Sequence, residues 1–172
     1  PRDPGGATMK GVTLATFRRY HPRATKADLR AISQADLERI YRDGYWDKIG
    51  GDALPDGVAL VAFDLAINSG PARARRYLAE TKGVPDPAER VKAICRRRED
   101  FLRGLGTFDV FGRGWMRRVH DVQALALKWC AQPEADDDEA TPGVKDVQRL
   151  LREKGYFEGG GADGVLGPRT KA

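Results

Sequence analysis

The chain has 172 residues, 41% hydrophobic and 32% charged, which suffices for one sizeable core and a small appendage but not for two full enzyme domains. Its net charge of +5 is uneven: residues 1–132 hold 24 Lys/Arg against 16 Asp/Glu, whereas residues 133–172 hold 6 against 9, so the front body is basic and suited to an anionic polymer while the tail is mildly acidic. Cys95 and Cys130 stand outside any CxxC or Cys/His cluster, and His21 and His120 are isolated, which argues against a disulfide framework, a zinc enzyme and a histidine-based hydrolase.

In chain order, residues 1–12 are rich in Gly and Pro without a helical period and read as turns with a short extended piece. Thr13 can cap a short helix reaching Tyr20, and Thr25 with Asp28 and Ser33 with Asp36 give two further helix starts, the aspartate standing in for the glutamate of a capping box. The second of these helices, over 34–45, places Leu37, Ile40, Tyr41 and Tyr45 on one face. Pro55 and Gly57 close a loop before Val58–Ile67, a nearly all-apolar segment that reads as a helix running through the middle of a core. Asp64 interrupts that segment, which is about half the length a membrane-spanning helix needs, so a soluble protein is expected. Ser69 or Gly70 caps the next helix, with Pro71 at its first position and an end near Thr81. Asp86-Pro87 repeats the signal for a helix to Arg103. A Gly-rich turn over 104–114 then leads to a last long helix, Trp115–Cys130.

The body is therefore mainly helical. Residues 132–143 combine an acidic run with Pro and Gly and read as an exposed linker, which divides the chain into a body over 1–131 and a small module over 144–172. In that module Val144, Val147, Leu150 and Leu151 mark a short amphipathic helix ended by Gly155.

Three features could carry chemistry. The loop from Asp3 to Thr13 gathers a carboxylate, two hydroxyls and three glycines, although Asp3 and Thr8 could equally satisfy turn amides. Asp64 and Asn68, four apart on an apolar helix, share one face and need partners, either in a neighbouring loop or along a cleft. Tyr45-Trp46 and Trp115 lie near expected turns, where aromatic rings can stack on sugars or simply fill the core. The arginine groups at 73–76, 96–98 and 117–118 read as solvated faces that could together steer a polyanion.

On these residues the body resembles the glycoside hydrolase family 108 muramidases, a group also labelled secretion activators and found among phage-type endolysins. The resemblance runs through DPGGATMKGVTLATFRRY from Asp3, IYRDGYWD over 40–47, LPDGVALVAFDLAINSGPARARRYL over 54–78 and RRREDFL…FGRGWMRRV over 96–119. The tail, VKDVQRLLREKGYF…ADGVLGPRT, is similar to a peptidoglycan-binding repeat of the DG-x-x-G-P-x-T type, which would make Asp163, Gly164, Gly167 and Thr170 its binding residues.

The resemblance implies a lysozyme-like, mainly α-helical (α+β) fold that cleaves the β-1,4 bond between N-acetylmuramic acid and N-acetylglucosamine. It implies Asp3 as the second acidic group and Thr8 beside it, where lysozyme-like enzymes position a water. Tyr45 and Trp46 would stand at the glycan cleft, with Asp64, Asn68 and Ser69 bracing the catalytic segment and contributing to substrate binding. The family's general acid is the glutamate of a Glu-Gly-Gly-Tyr motif that precedes DPGG, and this sequence begins at Pro1, so the body and the tail module both read as truncated. Bacterial peptidoglycan is the implied partner, with no cofactor, no metal, no nucleic acid, no stable membrane insertion, a monomeric state and a place in the periplasm or cell wall after export or phage-mediated release. Two other readings stay open: a non-catalytic wall-binding or secretion-assisting module, and a basic helical protein that binds nucleic acid.

Overall fold

The computed structural model describes residues 7–131; the linker over 132–143 and the module over 144–172 lie outside the described residues. A two-stranded antiparallel hairpin, β1 (Thr8–Met9) and β2 (Val12–Thr13), pairs Thr8 with Thr13 and Met9 with Val12. It leads into α1 (Leu14–Phe17), α2 (Lys26–Arg30) and α3 (Gln34–Tyr41). The three expected capping residues are in place: Thr13, Thr25 and Ser33 each accept a backbone N–H from the residue three positions on, and Thr25 with Asp28 completes a reciprocal capping box. The helix after Thr13 stops at Phe17, short of Tyr20.

Where the sequence predicts one helix over 34–45, α3 ends at Tyr41 and passes into a π-helical turn, Arg42–Trp46, followed by α4 (Asp47–Ile49). A π turn repeats at five residues instead of four, so Tyr41 and Trp46 fall on the same side. Both rings meet Phe63 edge-on, at centroid distances of 6.3 and 5.4 Å. Gly50, at φ 67°, ends α4 in the left-handed conformation that glycine tolerates, and a 3-10 turn, Gly51–Ala53, leads towards the centre of the molecule.

The central helix is α5 (Asp56–Ser69), buried on every side as its composition requires. It packs against α6 (Pro71–Glu80), α7 (Pro87–Arg103) and α8 (Phe108–Cys130). Pro71 and Pro87 take the first helical positions, behind Gly70 and Asp86. Gly57 is a helical residue and not part of the expected loop: a Cβ there would overlap Cys130 Sγ and the Ala126 carbonyl of α8, so glycine lets the two helices cross closely. The long last helix begins at Phe108, seven residues ahead of the expected Trp115, and absorbs Gly112 and Gly114. Gly112 lies under the Phe108 ring, and Phe108 and Phe111 lean on a buried Trp115 at 6.4 and 5.8 Å. Trp115 therefore fills the core and offers no surface platform. Among the described residues, no helix is long and apolar enough to cross a membrane.

Candidate substrate-binding site

The hairpin turn consists of Lys10 and Gly11, at φ 48° and 78°. Positive φ at both central residues is what a tight two-residue hairpin of type I′ needs, because that twist matches the twist of the strands. Lys10 is a non-glycine residue in this region, a conformation that costs roughly 1 kcal/mol and persists where the surroundings hold it. The holding contact comes from α3: Tyr41 Oη donates to the Lys10 carbonyl at 3.0 Å. At the hairpin's base Leu14 N donates to the Ala7 carbonyl at 2.9 Å. The loop that follows the DPGG motif is thus a fixed scaffold, with Thr8 exposed on β1.

Beside this hairpin the rings continue along the α3 side. Tyr41 and Tyr45 are 5.8 Å apart, Tyr45 is half-buried, and the Arg39 guanidinium lies 5.6 Å from the Tyr20 ring centre. Burial pushes the Tyr45 phenol above its ordinary pKa, and nearby Arg19 partly offsets that. Burial and then Asp43 push Tyr20 up as well, against Arg39 and Arg19. Both tyrosines are therefore neutral near pH 7 and act as hydrogen-bonding aromatic rings.

Asp64 sits at the other extreme. It is 0% exposed, and two guanidiniums converge on it: Arg98 Nη1 donates to Oδ2 at 2.5 Å, and Arg118 donates to Oδ1 from Nε at 3.0 Å and Nη2 at 2.7 Å. Burial alone would raise its pKa, but Arg118 and Arg98 outweigh burial and hold the carboxyl below the usual range. This cluster ties α5 to α7 and α8 and presents no carboxylate to solvent. Asn68, one turn on, is also buried, donating through Nδ2 to the Asp64 carbonyl at 2.6 Å. The Ser69 hydroxyl is closed off from solvent as well. Trp46 is buried with its ring against Phe63 and its Nε1 donating to Asp52 Oδ1 at 2.8 Å.

Of the residues expected at a glycan cleft, the structure therefore leaves Thr8 and Tyr45 accessible on the hairpin side. Trp46, Asp64, Asn68 and the Ser69 hydroxyl stand inside the body, where apolar packing and the buried arginines hold them. Asp3, together with Asp163, Gly164, Gly167 and Thr170, lies outside the described residues. Arg98 and Arg118, expected on solvated faces, are buried. Neither the Tyr41 contact nor Tyr20 was marked by a motif, since both depend on elements that meet only in three dimensions. Burial pushes the Cys95 thiol up to about 12, which removes it as a nucleophile. Among the described residues no group of three or more His, Cys, Asp or Glu is gathered to hold a metal ion.

The comparisons with known proteins agree with this architecture. The model of the family described as Glycosyl hydrolase 108 matches residues 1–70, which include the hairpin, the tyrosine face and all of α5. The solved structure of Brucella abortus SagA is 38% identical, with a TM-score of 0.69, over 77% of this chain and 86% of that one. No curated protein matches the chain. The fold is mainly α and lysozyme-like, and the chain belongs to glycosyl hydrolase family 108.

Proposed function

We propose that the protein is a peptidoglycan hydrolase, an N-acetylmuramidase that cuts the β-1,4 bond between N-acetylmuramic acid and N-acetylglucosamine. The observation that carries this reading is the family match over residues 1–70, which include the DPGG motif, together with a rigid hairpin beside an aromatic face. Glycoside cleavage needs one protonated carboxyl to protonate the leaving oxygen, and a second group to activate water or stabilise an oxocarbenium-like transition state. By resemblance the second group is Asp3, and Thr8 positions the water; the first is the glutamate of the family's Glu-Gly-Gly-Tyr motif. Tyr45, neutral and half-buried, offers the sugar a ring face and a hydroxyl.

The test is digestion of purified peptidoglycan by the chain extended N-terminally through the Glu-Gly-Gly-Tyr segment, with the products identified by mass spectrometry. Fragments ending in reducing N-acetylmuramic acid are expected, and Asp3→Asn should lower the rate at least about a hundredfold, the scale of a lost acid–base or charge-stabilising group. Fragments ending in reducing N-acetylglucosamine, or wall binding without release, would overturn the assignment; the latter is the signature of a non-catalytic wall binder.

A further inference from the structure

The face beside the hairpin carries more positive charge than its own anions neutralise. Arg42, on the neighbouring turn, is engaged by Asp47 at 2.8 Å and by Asp52. Arg39 meets Asp43 at 3.5 Å, with both side chains largely in solvent, a pairing worth little. Lys10 and Arg19 are exposed and make no ion pair among the described residues. With Arg42 and its two aspartates counted, four cations stand against three anions, an excess of one, and Arg19 and Arg39 are the cations that act on Tyr20, Arg19 reaching Tyr45 as well. Direct contacts join the parts: the Lys10 carbonyl to Tyr41, Tyr41 to Tyr45, and Tyr20 to Arg39. The side chain of Tyr20 also lies over the π-helical turn, where its Oη is 3.7 Å from the position a Gly44 Cβ would take.

We propose that Lys10, Arg19, Tyr20, Arg39 and Tyr45 form a subsite for the carboxylate-bearing peptide stems of peptidoglycan, so that the protein selects peptide-substituted glycan over bare or chitin-like strands. This rests on the hydrolase reading above and adds its specificity. An uncharged sugar chain needs ring faces and hydroxyl partners alone, and gains nothing from exposed cations in excess of the local anions. Peptide stems add carboxylates at intervals along the strand. Guanidinium groups pair with carboxylates in a planar, two-pronged manner, and the adjoining rings cover the sugar or the peptide backbone. The cations are solvent-exposed, so each contact is modest and the selectivity comes from several acting together.

The proposal is tested by calorimetric titration of the chain with soluble, uncross-linked glycan strands that carry their peptides, with the same strands after enzymatic removal of the peptides, with chitin oligomers of equal length and with a single-stranded oligonucleotide. Hydrolytic removal of the peptides leaves one lactyl carboxylate on each muramic acid in place of the several carboxylates of a stem, so it is expected to weaken binding about tenfold, with chitin oligomers weaker still; Arg19→Gln with Arg39→Gln should shrink both differences while binding to chitin oligomers stays the same. The control pair Arg75→Gln with Arg96→Gln, which removes the same charge from exposed positions on α6 and α7, should retain both differences. Circular dichroism of each variant checks that the fold persists. Equal affinity for peptide-bearing and stripped strands would overturn the subsite and leave the hydrolase reading standing, as would an equal loss from the control pair. Tighter binding to the oligonucleotide would assign the charge to nucleic acid. Failure to bind any glycan would overturn both readings.

Discussion

At Asp64 the protein places one carboxylate between two guanidiniums in a region closed to water. Moving such charges out of water costs several kcal/mol each, and mutual attraction repays it only while all partners are present. Asp64→Asn should therefore destabilise the fold by about 3–5 kcal/mol, because it leaves two buried arginines without their shared anion. The pH dependence has a definite sign. Asp64 has a folded pKa held below its ordinary 3.8, so its contribution is complete above that value and is lost as pH falls through the depressed one. Denaturant melts of wild type at pH 7, 4 and 3 should show a steeper acid limb than those of Asp64→Asn; parallel limbs would remove Asp64 from the acid response. The polar pair Asp64 and Asn68 was legible in the sequence as a breach of an apolar pattern. Its partners were not, because Arg98 and Arg118 are 34 and 54 residues away and look like any solvated arginine run.

Helix starts were the most legible elements, since a cap and a proline act locally: Thr13, Thr25, Ser33 and Asp86 all accept the expected backbone N–H. Glycines misled, because a glycine read as a turn signal can equally be a helical residue that makes room for a neighbour. Gly57 and Gly112 are both of that kind, and the physics separates them. Alanine at either gains up to about 1 kcal/mol of helix propensity. At Gly57 the added methyl meets the Ala126 backbone carbonyl as well as Cys130 Sγ, so α5 and α8 must part, at a typical cost of about 1–3 kcal/mol. At Gly112 the three nearest atoms all belong to the Phe108 ring, a partly buried side chain at the start of α8, and a side chain yields at less cost than a backbone. Thermal unfolding should show Gly57→Ala clearly destabilised and Gly112→Ala close to wild type or above it. The reverse order would mean that the α5–α8 crossing is looser than its geometry implies. The π-helical turn was illegible for a related reason: its cause is the joint seating of Tyr41 and Trp46 on Phe63, a contact with α5 that no local pattern encodes.

Across the whole molecule, the proposed work of binding a wall divides between charge on the body and short-range contacts in the tail module. The basic body, with 24 cationic against 16 anionic side chains over 1–132, can be drawn to an anionic polymer through solvent, and that attraction is screened over about 10 Å at 0.1 M salt. In the tail the acidic excess lies in the linker, whose five anions meet no cation, whereas the module over 144–172 holds 6 cations against 4 anions; the wall binding proposed for it from its DG-x-x-G-P-x-T similarity would add short-range contacts to that small positive charge. The two contributions should therefore respond differently to salt. A chain ending near residue 140 is expected to pellet with insoluble sacculi at about 50 mM salt and to be released by about 500 mM, where the Debye length falls to a few ångströms. The full chain should stay bound across that range. In the N-terminally extended enzyme, hydrolysis of soluble glycan should be little changed by the same truncation, since the hairpin, the tyrosine face and the α5–α8 core all lie before residue 131. Superimposable salt curves for the two lengths would show that the tail adds no short-range grip, and would leave wall attachment to the basic body alone.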